Sequence, residues 1–151
     1  MSTKRSPAKK AAKQASGQNC LAIEAVIEAI QKSLTPDLLK PQFREGNANN
    51  PLFGHCYHSA EALYHLIRDL HSPEEYHGYR PCRGVDDNGI PHWWLQSERG
   101  DILDPTAGQY TLNGLNAPYE SGRFRNFLTK QPSKNAETLI RRIVSAVSVS
   151  T

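Results

Sequence analysis

The stretch Gly54-His55-Cys56-Tyr57-His58-Ser59-Ala60-Glu61-Ala62-Leu63-Tyr64-His65-Leu66-Ile67-Arg68-Asp69-Leu70 decides the fold. Wound at about 100° per residue, it puts Cys56, Ala60, Leu63, Ile67 and Leu70 on one stripe, which predicts a helix from Cys56 to Leu70 with Cys56 in its first turn and facing the core. Gly54, just upstream, lets the backbone bend sharply and leaves space for a substrate carbonyl. The helix dipole and the unpaired first-turn N–H groups stabilise a thiolate at this position, and the same amides can hold an oxyanion. A merely small, buried cysteine would occupy the same stripe. The position therefore gains meaning from its partners downstream.

Downstream, residues 79–85, 90–97 and 101–106 read as strands, because Asp86-Asp87-Asn88-Gly89 and Glu98-Arg99-Gly100 carry hairpin-turn chemistry. A helix followed by an antiparallel meander is an α+β arrangement. In Pro91-His92-Trp93-Trp94-Leu95, His92 shares a strand face with Ile90, Trp94 and Gln96. If the Cys56 stripe packs on that face, the imidazole can accept the thiol proton. In Ile102-Leu103-Asp104-Pro105-Thr106, Asp104 neighbours the His92 strand across a short turn, where a carboxylate fixes the imidazole tautomer. A lone strand histidine is more often structural, and an aspartate before proline often only ends a strand. The order Cys, His, Asp, at spacings of 36 and 12 residues, says more than any one of them.

The flanks complete the outline. Ile23, Val26, Ile27, Ile30 and Leu34 recur at helical spacing before Pro36, which predicts a helix from Cys20 to about Leu34. Residues 41–53, with Gly46, Asn47, Asn49, Asn50 and Pro51, read as a loop, and 107–132 as irregular. After Pro132, Ser133 is placed to cap a last helix that buries Leu139, Ile140, Ile143, Val144 and Val147.

Composition bounds what this outline can do. Hydrophobic residues make up 38% and charged residues 22% of 151, a globular balance. Residues 1–19 hold five basic residues, no acidic ones and few large apolar side chains, so they read as a flexible basic tail ahead of a single domain spanning 20–151. The 123–151 end is basic as well, and the middle is acidic. Such termini can meet nucleic acid or another polyanion weakly, although a solvated tail is the plainer reading. The chain has no apolar run long enough to span a membrane and no signal-peptide core, so a cytoplasmic location is expected. Cys20, Cys56 and Cys82 form neither an even disulfide framework nor a CxxC pair, which leaves at least one free thiol. His58, Glu61 and His65 fall on a second stripe at metal-compatible spacing, but Asp69 on it and Arg68 beside it favour a solvated polar face. No metal and no cofactor is expected.

The segments Gly-His-Cys-Tyr-His-Ser-Ala-Glu-Ala-Leu at 54–63, His-Trp-Trp-Leu-Gln at 92–96 and Asp-Ile-Leu-Asp-Pro-Thr at 101–106 together resemble the core of the transglutaminase-like branch of papain-like cysteine enzymes, over about residues 50–110. That superfamily includes transglutaminases, peptidases, amidases and arylamine acetyltransferases. The resemblance implies a nucleophile helix packed on a small antiparallel sheet with flanking N- and C-terminal helices. It assigns Cys56 as nucleophile, His92 as base and Asp104 as the residue that orients it. It also implies an amide six residues before the cysteine as oxyanion donor, which falls on Asn50, with Asn47 and Asn49 as competitors. Gly54, Tyr57, Trp93 and Trp94 are expected to line the substrate cleft.

The expected function is amide or acyl chemistry through a thioester, on a peptide, amide or small acyl substrate. Water as second nucleophile makes a hydrolase and an amine makes a transferase; exclusion of water by Tyr57, Trp93 and Trp94 would favour the amine. The alternative is a non-catalytic binding module that retains the cleft and associates with polyanions through its basic termini.

Overall fold

The computed structural model describes residues 22–70 and 78–150. The basic tail, Cys20, His71 and His77 lie outside the described residues, as do the side chains of Leu70 and Val147.

Helix α1 (Ile23–Ser33) turns Ile23, Val26 and Ile30 inward and ends before Thr35, which is extended because proline follows it. Helix α2 (Pro41–Asn49) occupies the segment read as a loop. The turn formers of this segment point to a loop, yet Pro41 opens a helix, sitting in its first turn, where a missing N–H costs nothing. Asn47, likewise taken as turn chemistry, is buried and organises the turn that follows, its amide donating to the carbonyls of Pro51 at 2.8 Å and Phe53 at 3.0 Å.

Helix α3 (Cys56–Leu70) has the expected bounds. Gly54 precedes it at φ 86°, a conformation that favours glycine, and a Cβ there would press on the side chains of Leu39 and Phe43. Ala60, Leu63 and Ile67 are fully buried against α1, the sheet and the long C-terminal helix α5 (Lys134–Ser150). Each buried Leu or Ile in this seam contributes about 1.5–3 kcal/mol.

The strands are β1 (Arg80–Val85), β2 (Pro91–Gln96), β3 (Ile102–Leu103) and β4 (Arg123–Phe124), in the antiparallel order β3-β2-β1-β4. The Asp86–Gly89 turn closes the first hairpin, with Asp86 Oδ1 accepting the N–H groups of Asn88 and Ile90 and Gly89 at φ 78°. Strand β3 is much shorter than expected, because Asp104 turns the chain: its Oδ1 accepts the Thr106 N–H at 3.0 Å, and Pro105 has no N–H to offer a ladder. The 107–132 stretch is mostly irregular but contains the one-turn helix α4 (Gly108–Thr111), a 3-10 turn at Tyr119–Ser121 and β4.

The two faces of the sheet differ from the expectation. Helices α1, α3 and α5 pack on the Trp93 and Leu95 face, while His92 and Trp94 point to the other side, beneath Tyr110 and Tyr119. The helix seam is mainly aliphatic, whereas the 104–122 segment supplies carboxylate, amide and hydroxyl groups, as a buried polar ring needs.

The second stripe of α3 is buried only in its N-terminal half; His65 is half-buried, and Arg68 and Asp69 are exposed as a solvated face requires. Glu61 is completely buried and His58 nearly so. Ser133 donates to both oxygens of Glu61, from its hydroxyl at 2.7 Å and from its N–H at 2.9 Å, while its hydroxyl oxygen accepts the Ala136 N–H and so caps α5. Phe127 lies over Tyr57, Tyr64 and Trp93, and the Leu128 N–H donates to the Tyr57 hydroxyl. Residues 127–133 thus strap the first half of this helix and bury Glu61. Among the described residues no three His, Cys, Asp or Glu side chains are grouped to hold a metal, and no helix is long and apolar enough to cross a membrane.

Candidate active site

Cys56 and His92 lie on opposite sides of the sheet plane and meet around its edge. Because β3 pairs only with Leu95 and Gln96, the Pro91 end of β2 has a bare edge. The first turn of α3 abuts it: Cys56 Sγ is 3.8 Å from the Pro91 carbonyl oxygen and near enough to the His92 ring to help raise it. Cys56 is half-buried; His92 is sealed from solvent.

Asp104 fixes His92. Its Oδ2 lies 2.7 Å from His92 Nε2, with side-chain exposures of 2% and 0%. The same oxygen accepts the Tyr119 hydroxyl at 2.8 Å, and Oδ1 accepts both the N–H and the hydroxyl of Thr106. With Nε2 bound to the carboxylate, Nδ1 is the nitrogen left to exchange a proton. The Gln109 amide nitrogen stands 3.1 Å from Nδ1 and also contacts Thr106 Oγ1.

The electrostatics follow from these contacts. Burial alone would push His92 down, but the hydrogen bond to Asp104, the bond to Cys56 and the charges of both outweigh it and raise His92 to about 9. Tyr119 is driven far above its ordinary range by burial and by the Asp104 charge, so it stays a donor. Tyr110 is raised by burial and by its hydrogen bond to Asp86 Oδ2, and its ring meets His92 edge-on, so the first hairpin turn is tied to the site. Beneath α3, His55 Nδ1 and His58 Nε2 are 2.8 Å apart; burial lowers them to about 4 and about 3, and both are neutral at physiological pH.

A cavity of about 490 Å³ opens onto Cys56. Gly54, Tyr57 and Trp93 line it. Trp94 does not: it is wholly buried behind His92, stacked on that ring and held by its indole N–H to Gln96. Asn50 is not aimed at the thiol; its amide donates to the Gln109 carbonyl at 3.0 Å and so positions Gln109. The amide beside the Cys56–His92 pair is that of Gln109, which the sequence reading missed together with Tyr119. Both lie in the irregular segment, where no periodicity marks them.

Compared with protein-family models, with curated proteins and with solved structures, the chain matches none.

Proposed function

We propose that the protein is a papain-like, transglutaminase-like cysteine enzyme that breaks an amide or ester bond through a thioester on Cys56. The observation that carries this reading is the sealed His92 ring, bound through Nε2 to Asp104 and raised in part by the neighbouring Cys56, which itself stands at the wall of a cavity. A structural histidine needs no thiol at the helix terminus beside it and no cleft at that thiol. The order of nucleophile helix, histidine strand and aspartate strand end is the one the sequence resemblance implies.

In the proposed reaction His92, held through Nε2 by Asp104, takes the Cys56 thiol proton and leaves the thiolate. The thiolate attacks the substrate carbonyl carbon, and the carbonyl electron pair moves to oxygen. First-turn N–H groups of α3, which have no intrahelical acceptors, receive that oxyanion. His92 gives its Nδ1 proton to the leaving nitrogen or oxygen as the scissile bond breaks. Water or an amine then attacks the thioester, its proton returns to Nδ1, and the Cys56 thiolate departs. A reducing cytoplasmic setting suits an enzyme that depends on a free thiol.

Intact-mass measurement after acid quench, with p-nitrophenyl esters as acyl donors, tests this. One acyl group should appear on wild-type protein and none on folded Cys56→Ala. Turnover unchanged in Cys56→Ala would overturn the proposal.

A further inference from the structure

The cavity that opens onto Cys56 has apolar walls, with Phe43, Phe53, Tyr57 and Trp93 among them, yet three of its lining residues are cations: Lys40, Arg83 and Arg125. No Asp or Glu lines it. Among the described residues, the ion pairs engage Lys32, Arg80, Arg99, Arg141, Arg142 and His92, and none engages these three.

The backbone makes this arrangement costly. Arg83 on β1 stands directly across from Arg123 on β4. Directly opposed residues of an antiparallel pair share a face, so two like charges meet there, which destabilises a sheet. Arg125, two residues beyond Arg123, returns to the same face by the strand period. Its N–H donates to the Pro81 carbonyl at 3.0 Å, which keeps the chain running along β1 past the end of β4. Arg83 is also paired with Trp93, so this face is the one that carries the aromatic wall of the cavity. Arg83 is half-buried as well, which removes part of the water that would otherwise screen its guanidinium. A fold that sets unpaired arginines side by side at one wall of an apolar cleft stabilises an anion arriving from outside. Guanidinium groups suit carboxylate and phosphate in particular, through paired N–H donors.

We propose that the cleft takes a small acyl donor whose acyl arm is apolar and ends in an anionic group, carboxylate or phosphate, held by Arg83 and Arg125 while the reacting carbonyl reaches Cys56. The bond that breaks rests on the function proposed above; the charge selectivity does not, since it belongs to the walls. The apolar walls suit a short aliphatic or aromatic arm, and the arginines fix which end enters first. Binding energy spent at that distant end orients the carbonyl against the thiol.

The test uses folded Cys56→Ala protein, so that no turnover intervenes, and isothermal titration of three ligands: glutaric acid monoanilide, its neutral counterpart valeranilide, and the 4-phosphonobutyric anilide. The anionic anilides should bind at least tenfold more tightly than valeranilide. The preference should shrink as NaCl rises from 50 to 500 mM and should vanish in the Arg83→Gln, Arg125→Gln double variant. Which anion binds more tightly assigns carboxylate or phosphate as the natural terminus. Arg83→Gln should also leave the urea midpoint unchanged or raise it, because it relieves the contact with Arg123. Equal affinities for charged and neutral anilides, a preference that survives the double variant, or no binding of any of the three would overturn the inference. Failure of wild-type protein to form a thioester would instead overturn the proposed reaction and leave the binding result standing.

Discussion

The Tyr119 hydroxyl and the His92 ring converge on one carboxylate oxygen, Asp104 Oδ2, at 2.8 and 2.7 Å. Tyr119 stabilises the ionised carboxylate and so restrains its pull on His92. Tyr119→Phe removes a hydrogen bond to a charged group, worth about 1.5–3 kcal/mol of stability. It should also move His92 further up, because Asp104 is left with one donor fewer on that oxygen. NMR titration of the His92 ring in wild type and variant reads the direction.

Asp104→Asn should act in the opposite sense. It removes the main group that raises His92, so the ring falls back toward the value that burial favours. Acyl transfer from a p-nitrophenyl ester should drop by at least about 100-fold, as when a triad loses the carboxylate that holds its histidine. The alkaline limb of the pH–rate profile, near 9 in wild type, should shift downward.

Stability should fall on the alkaline side for the same reason. His92 is higher in the folded chain than its ordinary 6.5, so its contribution is complete below pH 6.5 and disappears as pH rises through about 9. The full effect is on the order of 3 kcal/mol. Urea unfolding of wild type and His92→Gln between pH 6 and 10 should show the slope in the first and its loss in the second.

On the acid side the His55–His58 pair contributes. Both rings are depressed when folded, so the unfolded chain binds their protons first. No penalty exists above pH 6.5, and it grows as pH falls toward about 4 for His55 and about 3 for His58. The urea midpoint should decline below pH 6.5 in wild type and decline less steeply in His58→Leu.

The Glu61–Ser133 link should prove structural. Glu61→Ala leaves the Ser133 N–H and hydroxyl without their acceptor at the start of α5, and a loss of about 2–4 kcal/mol is expected. Glu61→Gln, which keeps an acceptor, should lose less. Chemical denaturation of the three proteins provides the comparison.

What the sequence discloses here is local. The helix at 56–70 and the hairpins around Gly89 and Gly100 were legible because apolar spacing and turn chemistry act over a few residues. Cys56, His92 and Asp104 could be singled out together because all three lie on those elements. The α2 helix was not legible, since Pro41 and Asn47 carry the same letters whether they start a helix and brace its end or form a loop. Nor was the burial of Glu61, which depends on Ser133, 72 residues away. The sheet face chosen by the helices could not be read either, because β2 is covered on both sides. Gln109 and Tyr119 escaped for the same reason as Glu61: what gives them a role is a partner distant in sequence.

The most direct test of an activated Cys56–His92 pair needs no substrate. Iodoacetamide labelling at pH 7, read by peptide mass spectrometry, compares Cys56 with Cys82, which is buried and whose thiol burial pushes up. Cys56 should label at least tenfold faster than Cys82 and slow markedly in folded His92→Ala. A Cys56 that labels at the same rate with and without His92 would contradict the account at its centre.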